Sequence, residues 1–258
     1  MSDPTPIPTA PSADVEGAPP LRDPALAFFD QHHVEDLEPH RALSWRIGDS
    51  LREIVERLVA TRAPESDLAA MADELESVAA RLRGFEHGRS YEGYAEAANA
   101  GGGPPSGHVD YSPVLGRANP LAPPVHLRLE GRGLVGEVRF GSAYEGPPGS
   151  VHGGIVAAAF DEVLGATQAM SGRPGMTGTL TIRYRAPTPL HTDLRFEAVL
   201  DRVEGRKLFC SARLLAGDTL CAEAEGLFIS VDFSALAKLK ADRDATARDD
   251  AARDPGHG

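Results

Sequence analysis

Val151-His152-Gly153-Gly154-Ile155-Val156-Ala157-Ala158-Ala159-Phe160-Asp161 opens a run that continues to Met170 without a proline and is apolar on almost every side. A surface helix keeps one polar face, so a helix of this composition is one that other structure wraps. The wrapping follows in the chain as four extended runs, at about 177–186, 192–203, 207–216 and 219–231. Leu180, Ile182 and Tyr184 alternate with Thr179, Thr181 and Arg183, and Leu194, Phe196, Ala198 and Leu200 alternate with Arg195, Glu197, Val199 and Asp201. Period two buries one face of each strand. Glu204-Gly205-Arg206 and Ala216-Gly217-Asp218 suit hairpin turns, which makes the sheet antiparallel. Upstream, Val125, Leu127 and Leu129 alternate with polar neighbours, and Leu134 to Phe140 follows after Gly131-Arg132-Gly133, giving one more hairpin. One long buried helix against an antiparallel sheet is an α+β domain.

Further towards the N-terminus the period changes. Leu43, Ile47, Leu51, Ile54 and Leu58 recur at steps of three and four, as do Leu68, Met71, Leu75, Val78, Leu82 and Phe85. These are two amphipathic helices, separated by Pro64, with Ser66 as the expected cap of the second. Each has one apolar stripe, to be buried against the rest of the protein or against a second copy. Between residues 87 and 124, Gly101-Gly102-Gly103-Pro104-Pro105 and four further prolines interrupt regular structure, as a linker does. The proline-rich start and the charged, alanine-rich end lack the large apolar side chains needed to offset the entropy of ordering.

Acidic residues exceed basic ones to leave a net charge of −12, which disfavours a nucleic-acid or anionic-lipid coat. No run is long and apolar enough to span a bilayer, and residues 1–18 carry no secretion signal, so a cytoplasmic location is the expectation. The two cysteines form no metal-type pair, and Cys210 alternates with Leu208 and Ala212 as a core thiol. Gly131-Arg132-Gly133-Leu134-Val135-Gly136 has the spacing of a dinucleotide loop, but strand alternation follows where that loop needs a helix. Serine-hydrolase, zinc-protease and P-loop motifs do not occur.

His152-Gly153-Gly154 at the start of the wrapped helix is different. Free N–H groups and the helix dipole favour a developing negative charge at that end, so the turn can serve as an oxyanion hole. Asp161 then places a carboxylate in the middle of the apolar helix. Burying a charge is costly without a partner, and the residue is explained equally by a functional site or by a subunit contact.

The run from Val151 to Asp161, followed by Thr177-Gly178-Thr179-Leu180-Thr181-Ile182-Arg183-Tyr184-Arg185-Ala186-Pro187, resembles the hotdog-fold acyl-CoA thioesterases of the phenylacetyl-CoA thioesterase-like superfamily. The resemblance covers about residues 110–232. With the composition and periodicity read above, the chain divides into an N-terminal arm over 1–36, a helical hairpin over 37–86, a linker over 87–109, a hotdog domain over 110–234 and a tail over 235–258. The resemblance implies a homodimer or tetramer with active sites at the subunit interface, acyl-CoA as substrate, and neither metal nor cofactor. Backbone N–H groups at Gly153 and Gly154 would polarise the thioester carbonyl, with His152 shaping the turn. By the resemblance, Asp161 of the partner copy would act as general base or nucleophile, and Thr177 would orient the carboxylate or the attacking water. Seven basic residues against four acidic ones between Thr181 and Ala216 make a local positive patch, from which Arg183, Arg185, Arg206 and Lys207 are the candidates for holding coenzyme A phosphates. A hotdog-fold dehydratase or hydratase and a non-catalytic acyl-CoA-binding module are the competing readings.

Overall fold

The structure, a computed structural model, describes residues 39–85, 109–173 and 175–231. The expected N-terminal arm over 1–36, nearly all of the linker over 87–109, and the tail over 235–258 lie outside the described residues. Helix α1 spans Pro39–Leu58 and α2 spans Glu65–Arg83. Strands β1 (His126–Glu130) and β2 (Gly133–Val138) precede helix α3 (Gly153–Ala169). Strands β3 (Gly175–Tyr184), β4 (Leu194–Glu204), β5 (Lys207–Ala216) and β6 (Thr219–Ser230) follow it.

The six strands form one sheet in the order β1-β2-β4-β5-β6-β3, every neighbouring pair antiparallel. Helix α3 lies across one face, and the α+β hotdog arrangement results. Phe160 of α3 meets Phe196 of β4 edge to face, with ring centroids 5.1 Å apart, the arrangement that the ring quadrupoles favour. Phe140, Leu164, Leu208 and Phe228 complete a core with no exposed surface to speak of. The glycine-spaced decoy is the β1–β2 hairpin turn, Glu130 pairing with Gly133.

Two expectations change. Residues 110–124, whose prolines read as part of a linker, pack into the domain. Val114, Leu115, Ala122 and Val125 are buried, and Val114, Leu115 and Val125 belong to the same core cluster as α3 and the sheet. Ser66 caps nothing, since α2 begins one residue earlier, after Pro64, and no side chain caps it.

The hairpin departs most from the pattern reading. Helix α1 docks through its polar face. Arg41 forms a two-pronged pair with Asp110 at 2.6 and 3.2 Å, and Arg52 donates to the carbonyls of Arg117 and Asn119 at 2.6 and 2.8 Å. Trp45 is buried between the Arg41 and Arg117 guanidiniums, each 4.8 Å from the ring. Glu56 accepts the N–H groups of Ser142 and Ala143. Although burial alone pushes its carboxyl up, these bonds hold it below the usual carboxylate range. Gly48 lets α1 approach closely, because a Cβ there would sit 2.4 Å from the Arg117 carbonyl oxygen. At 100° per residue the apolar stripe lies opposite this face, and no residue of α2 is buried.

Candidate active site

The chain reaches α3 through a loop pinned on both sides. Val151 N–H donates to the Thr188 carbonyl at 2.8 Å and His152 N–H to the Tyr144 carbonyl at 2.8 Å. His152 is the N-cap of α3, and its Nδ1 accepts the Gly154 N–H at 3.0 Å. The Ile155 and Val156 N–H groups turn back to the His152 carbonyl. Among the described residues this leaves the Gly153 N–H without a partner, at the positive end of the helix dipole. Tyr184 Oη donates to the Gly153 carbonyl at 2.8 Å, so the Gly153–Gly154 peptide that follows is held at both its carbonyl and its N–H. The expected role of His152 in shaping the turn therefore has a specific bond behind it. Tyr184 has an anchoring contact that strand alternation alone did not reveal.

Two turns along α3, Thr177 Oγ1 donates to Asp161 Oδ1 at 2.9 Å. Strict alternation would place Thr177 with Thr179 and Thr181, on the sheet face away from the helix. A register shift between Thr177 and Thr179 corrects this: the bulge turns Thr177 toward α3. Asp161 is only partly buried. It lies on a stripe with Gly154, Ala158 and Gly165, the part of α3 that the described chain leaves uncovered, beside the outer edge of β3. The premise of a carboxylate sunk in an apolar helix thus holds for its neighbour instead. Glu162 points the other way and accepts the Ser112 hydroxyl at 2.6 Å. Burial pushes its carboxyl above the usual range, against the opposing bond from Ser112 and with the Asp161 charge adding to the rise.

The four basic candidates do not form one patch. Arg183 pairs with Glu225 at 2.9 Å, and Arg185 pairs with the buried Glu223. Arg206 donates to the Ser230 carbonyl at 3.1 Å, while Lys207 is exposed. Lys207 is in register with Ile229, which faces Met176, so Arg206 and Lys207 sit at the opposite end of β3 from Arg183 and Arg185. About seven strand residues, or ~23 Å, separate the two pairs. Cys210 and Cys221 are buried and free, and burial pushes both thiols up, as core cysteines. Among the described residues no cluster of three metal-ligating side chains occurs, and no helix is long and apolar enough to cross a membrane.

A family model described as Thioesterase superfamily matches residues 148–223, the segment that carries both ends of this site. A crystal structure of a thioesterase superfamily protein, 36% identical, superposes with a TM-score of 0.64 over 72% of this chain and 94% of its own. The chain belongs to the thioesterase superfamily. Within that superfamily it is 40% identical over 94 residues to acyl-coenzyme A thioesterase THEM4 of Bos taurus, covering 36% of this chain and 38% of that protein. It is 34% identical over 93 residues to acyl-coenzyme A thioesterase THEM5 of Homo sapiens, covering 35% and 38%. The chain thus spans about two fifths of the length of the curated relatives it matches.

Proposed function

We propose that this superfamily member hydrolyses an acyl-CoA thioester to the free acid and coenzyme A, at sites formed between two copies of the chain. One observation carries the reading: a carboxylate bonded to a threonine, Asp161 to Thr177 at 2.9 Å, stands at an open sheet edge in a chain whose helix N-terminus offers an unpartnered N–H. The acyl-coenzyme A named for the bovine and human relatives supplies the substrate class.

Geometry supports the second copy. Gly153 and Asp161 lie eight residues apart on one straight helix, ~12 Å at 1.5 Å per residue. A reacting carbonyl has to sit about 3 Å from both its oxyanion donor and its attacking group. One chain cannot provide both. A partner joined along the unpaired edge of β3 would bring its own Asp161 toward this chain's Gly153, and the uncovered Gly154, Ala158 and Gly165 stripe leaves room for it.

In the resulting site the Gly153 N–H stabilises the carbonyl oxygen as it becomes an oxyanion. Acting as base, the partner-side Asp161 takes a proton from water as the water oxygen bonds to the carbonyl carbon. Acting as nucleophile, it attacks that carbon directly, and once the thiolate has left, water cleaves the mixed anhydride to release the acid and regenerate the carboxylate. Collapse breaks the C–S bond, and the thiolate of coenzyme A leaves and is protonated. Thr177 holds the carboxylate in one orientation throughout. Arg183 and Arg185, or Arg206 and Lys207, hold the phosphates, but not both pairs at once. Neither a metal nor a cofactor enters this scheme.

The test is thiol release from a panel of short, long and aryl acyl-CoAs, wild type beside Asp161→Asn. The buried Cys210 and Cys221 leave the thiol reading clean. Release by the wild type that falls at least about a hundredfold in the variant supports hydrolysis and names the acyl class. Stabilisation of the fold by acyl-CoA with no release would replace hydrolysis with the binding module.

A further inference from the structure

Eleven large apolar side chains between Leu43 and Phe85 stand 38% to 73% exposed, among them Ile47 and Leu58 of α1 and Val78 and Leu82 of α2. At about half exposure each, these side chains leave on the order of 1,000 Å² of apolar surface spread over the two helices. The largest apolar patch of a typical monomer is about 300–600 Å², whereas each partner of a stable interface covers about 800 Å². The face is not loosely held. The Arg41–Asp110 ion pair, the bonds of Arg52 to the Arg117 and Asn119 carbonyls and the buried Trp45 clamp the opposite side of α1 to the sheet domain, so the α1 stripe is presented outward in a fixed orientation.

We propose that the occupant is the hairpin of a second copy, and that α1 and α2 of two chains close into a four-helix bundle. This contact is separate from the one at the β3 edge that forms the active sites. The charges of α2 point to self-pairing. Its first turn carries Glu65 and Asp67 and its last turn carries Arg81 and Arg83. Laid antiparallel against a two-fold copy of itself, each acidic end meets a basic end, and the same patch serves both partners. Apolar stripes at three- and four-residue spacing on two helices per chain are what such a bundle buries.

The full chain is tested by sedimentation equilibrium beside a Val78→Glu, Leu82→Glu double variant. Both positions are exposed, so the fold is retained, and far-UV circular dichroism verifies it. The wild type is expected to associate and the variant to have half its mass. An unchanged mass, or a monomeric wild type, overturns the bundle. Thiol release is read alongside, so a chain inactive on every thioester still reports on the bundle through its mass. A second pair of variants probes the direction. Arg81→Glu with Arg83→Glu is expected to weaken association, and adding Glu65→Lys with Asp67→Lys to restore it. A combined variant as weak as the first overturns the antiparallel arrangement.

Discussion

Replacing Gly153 by proline removes one atom group from the proposed oxyanion site and little else. Gly153 is the first residue of α3, where proline is favoured because the missing N–H has no helical partner. The residue before it, His152, has φ −59° and ψ 130°, which is the conformation a following proline demands. A Cβ at 153 would lie 3.5 Å from Tyr184 Oη, an ordinary contact. The helix and its His152 cap are therefore expected to survive, while the donor is lost. Losing one such donor costs about 2.7–4 kcal/mol of transition-state stabilisation, so kcat for thiol release is expected to fall about 100- to 1,000-fold. Gly153→Ala keeps the N–H and adds only the Cβ, and is expected to stay near the wild type. A folded Gly153→Pro protein within about threefold of the alanine variant would refute this assignment of the oxyanion donor.

Tyr184→Phe removes the bond to the Gly153 carbonyl, a neutral hydrogen bond of about 0.5–1.5 kcal/mol, and is expected to lower stability by about that much and kcat by no more than about tenfold. Glu162 has its folded pKa raised above the ordinary 4.5, so its contribution to stability is intact below that value and lost as pH rises through the raised one. Glu162→Gln abolishes this loss, and its Tm relative to the wild type is expected to rise as the pH is raised above the ordinary 4.5; a difference that stays constant with pH would contradict it. Arg41→Ala leaves Asp110, 6% exposed, without its guanidinium and is expected to destabilise α1 docking by about 2–3 kcal/mol, discounted from a fully buried pair. Trp45 is the sole tryptophan, so that release would appear as a red-shifted, more quenchable emission.

The sheet and α3 were legible because one period repeats along each of them. Cys210 in β5, or Phe196 in β4, could be assigned to the inner face from their neighbours alone. Two-residue alternation fails at a bulge, and Thr177 sits beside one, so its place next to Asp161 came from the family resemblance and not from the strand pattern. Residues 110–125 carry prolines that mark irregular backbone, but irregular is not the same as exposed. Ser112 at 0% exposure bonds Glu162 fifty residues away, which no local pattern encodes. The hairpin misleads for a related reason. Apolar periodicity identified the helices correctly, yet the face that docks is held by Arg41, Trp45, Asp49, which pairs with Arg117 at 2.9 Å, Arg52 and Glu56, through ion pairs and backbone groups that only tertiary structure supplies.

The central claim, that Gly153 of one copy and Asp161 of another act on the same thioester, has a direct test in subunit mixing. Gly153→Pro and Asp161→Asn, each inactive alone, are unfolded together, refolded at equal concentration and assayed for thiol release. In a mixed two-fold dimer one of the two sites holds both an intact donor and an intact carboxylate, so about a quarter of the wild-type rate is predicted. A mixture no more active than its parents, with mixed dimers present, would contradict a site built from two chains.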